Sequence, residues 1–141
     1  MIERRDVEPL LVRTSRAFAI NKDRRAWWEE WRKSRNPHVY ILAGIFVRHL
    51  LVQSSRRRTK EFPAAFELIE RMLLEGDDYV RELAIHGFLE GLLTSDRAAD
   101  FLPYLLPMSR WWWEEIELFW EGKVDSIGSS GRPKPEVASK R

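Results

Sequence analysis

Residues 39–47, Val-Tyr-Ile-Leu-Ala-Gly-Ile-Phe-Val, are the longest unbroken apolar run in the chain. A helix drawn through them has no wet face, and such a helix is normally enclosed by its neighbours. A helix over residues 38–54 is therefore expected at the centre of the fold. Asn36-Pro37 opens it, because proline disfavours helix in the residue before it yet suits a first turn. The run is nine residues long, against roughly 20 needed to span a bilayer. It reads as core and not as membrane.

The rest of the chain is patterned for helix as well. Apolar residues recur at intervals of three and four, and strand-like alternation is nowhere sustained. A short first helix is expected over residues 7–15, with Pro9 tolerated in its opening turn. A second, over residues 23–34, has an aromatic side of Trp27, Trp28 and Trp31. The polar stretch around Arg56, Arg57 and Arg58 makes a loop. The fourth helix, residues 60–75, starts with Pro63 in its first turn and buries Phe62, Phe66, Ile69, Met72 and Leu73. Gly76 suits a left-handed helix end and Asp77 the cap of the next helix. That fifth helix, residues 78–93, buries Val80, Ala84, Phe88 and Leu92. Its Ala84, Gly87 and Gly91 leave a shallow groove for another helix.

The fourth and fifth helices make an antiparallel pair of the kind that HEAT-like repeats stack, although no self-similarity recurs at that period. Pro103 and Pro107 break the next stretch into a loop with a short helical turn. The last helix, residues 109–121, carries a stripe of Met108, Trp112, Ile116 and Trp120, with Trp111 outside it. The fold class is all-α, a single domain of about six helices over residues 1–122. Residues 123–141, rich in Gly, Ser and Pro, have too few apolar side chains to offset their ordering entropy. They read as a disordered tail, and removing residues 126–141 is expected to leave stability unchanged.

At 141 residues the chain is one domain's worth. It has no cysteine, which excludes disulfides, thiolate metal sites and a cysteine nucleophile. The opening Met-Ile-Glu-Arg-Arg-Asp lacks the apolar core of a signal peptide. A soluble, cytoplasmic protein is expected.

The net charge of +2 hides a division. Residues 1–60 carry 15 Lys and Arg against 6 Asp and Glu, a balance of +9, and residues 61–121 carry 4 against 14, a balance of −10. Residues 122–141 add +3. Such asymmetry marks a charged interaction surface, or two halves whose fields cancel when packed.

Catalytic chemistry finds little support. There is no phosphate-cradling glycine loop, G-x-S-x-G or H-E-x-x-H. His86 and Glu90 are one helical turn apart, but a metal needs a further ligand that nothing nominates. A simple His–Glu hydrogen bond accounts for the pair. No cofactor, metal or catalytic residue is expected. The acidic residues Glu67, Glu70, Asp78 and Glu82 are candidates for meeting a basic protein partner, steering it by charge. Trp111 is either an exposed anchor for that partner or a residue covered by the tail. The alternative working surface is the basic first half, with Arg56, Arg57 and Arg58 as phosphate contacts for nucleic acid. The −10 segment in the same small domain opposes that reading.

Three segments also resemble a known family in order and spacing. They are Ile-Leu-Ala-Gly-Ile-Phe-Val-Arg-His-Leu-Leu at residues 41–51, then residues 71–92 around Glu75-Gly76-Asp77-Asp78 and Gly87-Phe88-Leu89-Glu90. The third is Leu106-Pro107-Met108-Ser109-Arg110 leading into Trp113 and Phe119-Trp120. The chain thereby resembles a widespread bacterial family of small all-helical domains of unknown function. Its members are similar to stand-alone helical immunity proteins of polymorphic toxin systems. The resemblance implies an all-helical fold and a non-enzymatic protein that binds a cognate toxin. It implies no catalytic residue.

Overall fold

The computed structural model describes residues 1–20 and 39–136, and the helix expected over residues 23–34 lies outside them. A 3-10 turn, Arg4–Asp6, leads into α1, Val7–Thr14. The Ser15 hydroxyl accepts from the Phe18 backbone N–H (3.0 Å) and so caps the short α2, Arg16–Ala19. The apolar run becomes α3, Val39–Ser55. A loop through Arg56, Arg57 and Arg58 leads to α4, Phe62–Glu75, which has proline in its first turn.

Next comes a continuous rod of three parts: α5 (Asp78–Glu82), a π-helical section (Leu83–Leu89) and α6 (Glu90–Leu93). A 3-10 segment, Ala98–Tyr104, precedes the last helix, α7, Pro107–Trp120. Every regular element among the described residues is helical, none is a strand, and the all-α expectation holds. No described helix is long and apolar enough to cross a membrane.

Periodicity located most of the core. Phe62, Phe66, Ile69, Met72 and Leu73 of α4 are buried, as are Val80, Ala84, Phe88 and Leu92 of the rod. The small-residue groove on the rod receives α3. A Cβ on Gly87 would lie 3.0 Å from Leu83 Cδ1 and 3.2 Å from Ala43 Cβ. A side chain there would push Leu83 or Ala43 aside by a few tenths of an ångström, so glycine lets α3 sit close to the rod. Asp77 caps α5 by accepting from the Val80 N–H (2.9 Å).

Four expectations are corrected. First, α3 is not enclosed on every side. Leu42, Ala43, Phe46 and Leu50 are buried, but Tyr40, Ile41, Gly44, Arg48 and Val52 lie at the surface and Ile45 is half-buried. Second, Gly76 is extended (φ −74°, ψ 152°) and not left-handed. It pairs with Ile2 in a lone parallel bridge, where the Ile2 N–H donates to the Glu75 carbonyl (2.8 Å) and the Asp77 N–H to the Ile2 carbonyl (3.0 Å). A side chain on Gly76 would strike the Met72 carbonyl and Val80.

Third, the buried stripe of α7 runs through Ser109, Trp113 and Ile116. Trp112 is only half-buried and Trp120 is 58% exposed. Helix α7 begins two residues earlier than expected, at Pro107, and the identity of the stripe follows from how that end is anchored. Glu70 on α4 is buried, and its carboxylate accepts from the backbone N–H groups of Met108 (2.8 Å) and Ser109 (2.7 Å). This fixes both the position and the rotation of α7 on α4.

Fourth, residues 123–136 lack helix, as their composition predicts, but they are docked on α7 and not free. Ser130 Oγ donates to Glu115 (2.7 Å to Oε1), and Arg132 Nε donates to its Oε2 (2.7 Å). Glu115 is fully buried beneath them. Burial pushes the Glu115 carboxyl up, and the hydrogen bonds from Ser130 and Arg132 more than offset this, leaving it below the usual carboxylate range. Composition missed the docking because it rests chiefly on a charge pair and on cations over indole rings, with little apolar burial beyond Ile127.

Removing residues 126–141 should therefore lower the unfolding free energy by about 2 kcal/mol, discounted for the partial exposure of Arg132. Urea denaturation of the shortened chain checks this. The contribution made by the Glu115 carboxylate should be present above its unfolded pKa and vanish as pH falls through its lower folded value.

Candidate functional site

The rod presents a row of polar residues at helical spacing, Asp78, Glu82, His86 and Glu90, all at or near the surface. Residues four apart on a helix are neighbours, and here they are linked. His86 Nε2 lies 3.2 Å from Glu82 Oε2, and its Nδ1 lies 3.2 Å from Glu90 Oε1. The other Glu90 oxygen accepts from Trp120 Nε1 (2.9 Å), which ties the exposed indole to the row. Asp78 pairs with Arg81.

Beside Glu82 stand two tyrosines, Tyr40 and Tyr79, edge-on at 5.8 Å between ring centroids. Burial, then Tyr79, then Glu82 raise the pKa of Tyr40, so its hydroxyl stays protonated. On α7, burial and the neighbouring Glu121 and Glu114 push the Glu117 carboxyl up, a sign of crowded negative charge. The result is an acidic ridge with exposed aromatic rings along it.

The structure divides the sequence candidates. Asp78 and Glu82 are on the ridge, and Glu67 is exposed on α4. Glu70 faces inward as the anchor of α7 and offers nothing to a partner. Trp111 is buried beneath the docked tail, the second of its two readings. Among the described residues the exposed tryptophan is Trp120, which the four-residue stripe had assigned to the core. Tyr40 and Tyr79 were not singled out from the sequence. Glu90 and His86 were noted only as a pair, and the pair is a hydrogen bond as expected. No group of three or more His, Asp and Glu among the described residues could hold a metal.

Arg56, Arg57 and Arg58 are exposed in the loop after α3, with Arg57 in the left-handed region (φ 58°). Arg24, Arg25 and Arg32, which would extend that basic surface, lie outside the described residues.

A second polar cluster is buried. Ser15 Oγ donates to Glu61 Oε1 (2.9 Å) and lies 3.3 Å from His49 Nε2, and Glu61 Oε2 accepts from the Ala17 N–H (3.3 Å). Serine, histidine and glutamate together invite comparison with a nucleophilic triad. In a triad the carboxylate holds the imidazole nitrogen opposite the serine. Here serine and glutamate meet the same nitrogen, Glu61 Oε1 lying 3.8 Å from His49 Nε2. Ser15 is also buried and already engaged as the cap of α2. The cluster is a tether that holds the α1–α2 corner to α3 and to the residue preceding α4.

Burial lowers the pKa of His49, and the nearby Glu61 only partly opposes this. The unfolded chain then binds a proton that the folded chain resists. Stability should be complete above about pH 6.5, the ordinary histidine value, and decline as pH falls below it. His49→Gln should flatten that decline in unfolding curves recorded from pH 7.5 to pH 5.

No match to the chain was found among curated proteins or among solved structures. One family model matches, a domain of unknown function designated DUF7674, over residues 17–121. That stretch covers α2 to α7, including the ridge and Trp120, and it stops where the docked tail begins. The ridge is thus built entirely within the matched region, and on that match the chain belongs to the DUF7674 family.

Proposed function

We propose that this is a non-enzymatic protein-binding module that captures a basic protein on the acidic ridge. Its nearest functional analogy is an immunity protein that neutralises a cognate bacterial toxin in the cytoplasm by covering its surface. The observation that carries the reading is the connected row Glu82–His86–Glu90–Trp120, in which an exposed indole is held in place by the carboxylate row itself. Exposed tryptophans are frequent anchors in protein interfaces. A ring whose orientation is already fixed loses less freedom on binding. Three ridge carboxylates suit a partner that is itself basic, as a toxin acting on nucleic acid must be.

Charge of this kind acts mainly on association and weakens with salt, whereas a packed ring acts mainly on dissociation. The test is capture of partners from the host lysate, followed by binding kinetics across a salt series. Glu82→Lys with Asp78→Lys should slow association at least ten-fold at low salt and leave the unfolding curve unchanged. Trp120→Ala should speed release by a similar factor. Retention of nucleic acid alone, lost on mutating Arg56, Arg57 and Arg58 and indifferent to the ridge changes, would replace this reading with a nucleic-acid-binding one.

A further inference from the structure

The docked tail sits in a site of defined chemistry on α7, built from residues other than those of the ridge row. Arg132 reaches over the Trp111 ring (5.6 Å to its centroid), donates to the Trp111 carbonyl through Nη2 (3.2 Å), and pairs with Glu115 and Glu114. Two residues on, the Lys134 ammonium lies over both Trp111 and Trp112, 5.4 Å and 5.2 Å from the ring centroids. Those two rings meet edge-on at 4.9 Å. Two rings and two carboxylates therefore receive an Arg-Pro-Lys-Pro strap. Cations stacked on indoles, with prolines holding the backbone extended, are a general means of peptide recognition.

The strap does not complete the site. Trp111 Nε1 is buried with no hydrogen-bond acceptor among the described residues, a state that costs free energy wherever it occurs. Beside the strap an open groove of about 510 Å³ runs between Pro133 and Pro135 on one side and Leu105, Leu106 and Pro107 on the other. The strap is held by ionic and ring contacts, and in the tail before it Ile127 packs against the main core. It is approached through Gly122, Gly128 and Gly131, all at positive φ.

We propose that the Trp111–Trp112–Glu114–Glu115 face is a peptide-binding site for cationic, proline-bearing extended segments of a partner protein, and that residues 130–135 are its resident competitor. A partner segment that displaces the strap, places a carbonyl against Trp111 Nε1 and covers the Leu105, Leu106 and Pro107 wall of the groove gains what the strap leaves unmade. The proposal stands apart from the ridge, and its test uses no ridge residue.

The test is fluorescence anisotropy with two labelled peptides, one reproducing residues 126–136 and one carrying only Arg-Pro-Lys-Pro between Gly-Ser flanks. Both are titrated with the full chain and with variants whose strap is released. Arg132→Ala removes the main ion pair. Gly128→Val releases the strap differently, since φ is +93° there and a Cβ would fall 2.9 Å from the Trp112 ring. Gly128→Val leaves the Arg132 side chain in place on the released strap, so it keeps the test open should Arg132→Ala fail to fold.

Each folded variant should bind both peptides at least ten-fold more tightly than the unaltered chain does. Adding Glu115→Gln, or reversing the peptide's arginine to glutamate, should abolish the gain. Absence of binding to folded, strap-released protein would overturn the proposal, and so would indifference to the arginine. Binding of the first peptide without the second would mean that the site fits only its own strap. A dimer in solution with exchanged tails would make a second copy the occupant. Either result rejects a partner segment.

Discussion

Phe46→Ala is expected to lower the unfolding free energy by about 4 kcal/mol, the usual cost of emptying a buried phenylalanine site. Phe46 is 1% exposed. Its ring meets Phe18 edge-on (4.9 Å between centroids) and Phe88 in the same manner (5.9 Å). It thereby joins α2, α3 and the π-helical section of the rod, and aromatic pairs of this geometry add about 0.5–1.5 kcal/mol each beyond their buried area. Ile45, its half-buried neighbour, is the control. Ile45→Ala should cost roughly 1–2 kcal/mol, since only part of that side chain leaves water on folding. Urea midpoints for the two variants should differ clearly. Equal midpoints would mean that the three elements do not depend on this ring.

Glu70→Ala should cost about 3 kcal/mol. The carboxylate is buried and accepts two charge-assisted bonds from the backbone of Met108 and Ser109, each of which contributes about 1.5–3 kcal/mol when formed. Its loss leaves two N–H groups unsatisfied at the start of α7. Glu70→Gln keeps one acceptor oxygen and should recover roughly half the loss. Glu67→Ala, exposed on the same helix, should change stability by less than about 0.5 kcal/mol. Chemical denaturation of the three proteins separates the structural carboxylate from the surface one. A Glu70→Ala protein as stable as the unaltered chain would show that α7 is held by its apolar stripe alone.

Glu70 also marks where reading the sequence stops. Helical spacing located the inward faces of α4 and the rod, because burial of an apolar stripe is a local, periodic property. Asp77 and Gly87 were likewise legible, since a cap and a close helix contact each rest on one residue type. Glu70 appeared as one more member of an acidic run. Nothing local reveals that it reaches a backbone 38 positions away.

Two of the four tryptophans of α7, Trp112 and Trp120, were misassigned for a related reason. A helix with rings on several faces fits more than one stripe, and the choice depends on the rotation that Glu70 and Ser109 impose. With the rotation fixed, Trp113 enters the core, Trp111 turns beneath the strap and Trp120 emerges beside Glu90. The acidic side of the site was therefore foreseen in part, and its aromatic side was not. The π-helical section was invisible as well, because an apolar stretch such as Leu-Ala-Ile-His-Gly-Phe-Leu satisfies a helix of either pitch.

The bridge between Ile2 and Gly76 has a consequence for how the chain is made. Ile2 leaves the ribosome about seventy residues before its partner, which at 5–20 residues per second is a wait of roughly 4–15 s. During that interval Ile2, Val7 and Leu11, all buried in the finished protein, have no α4 to settle against. The first helix is thus synthesised first and secured late, when the turn at Gly76 is complete. A nascent chain arrested before α4 would leave Ile2 without its bridge and α1 without one of the helices that cover Val7 and Leu11, and so open to chaperones.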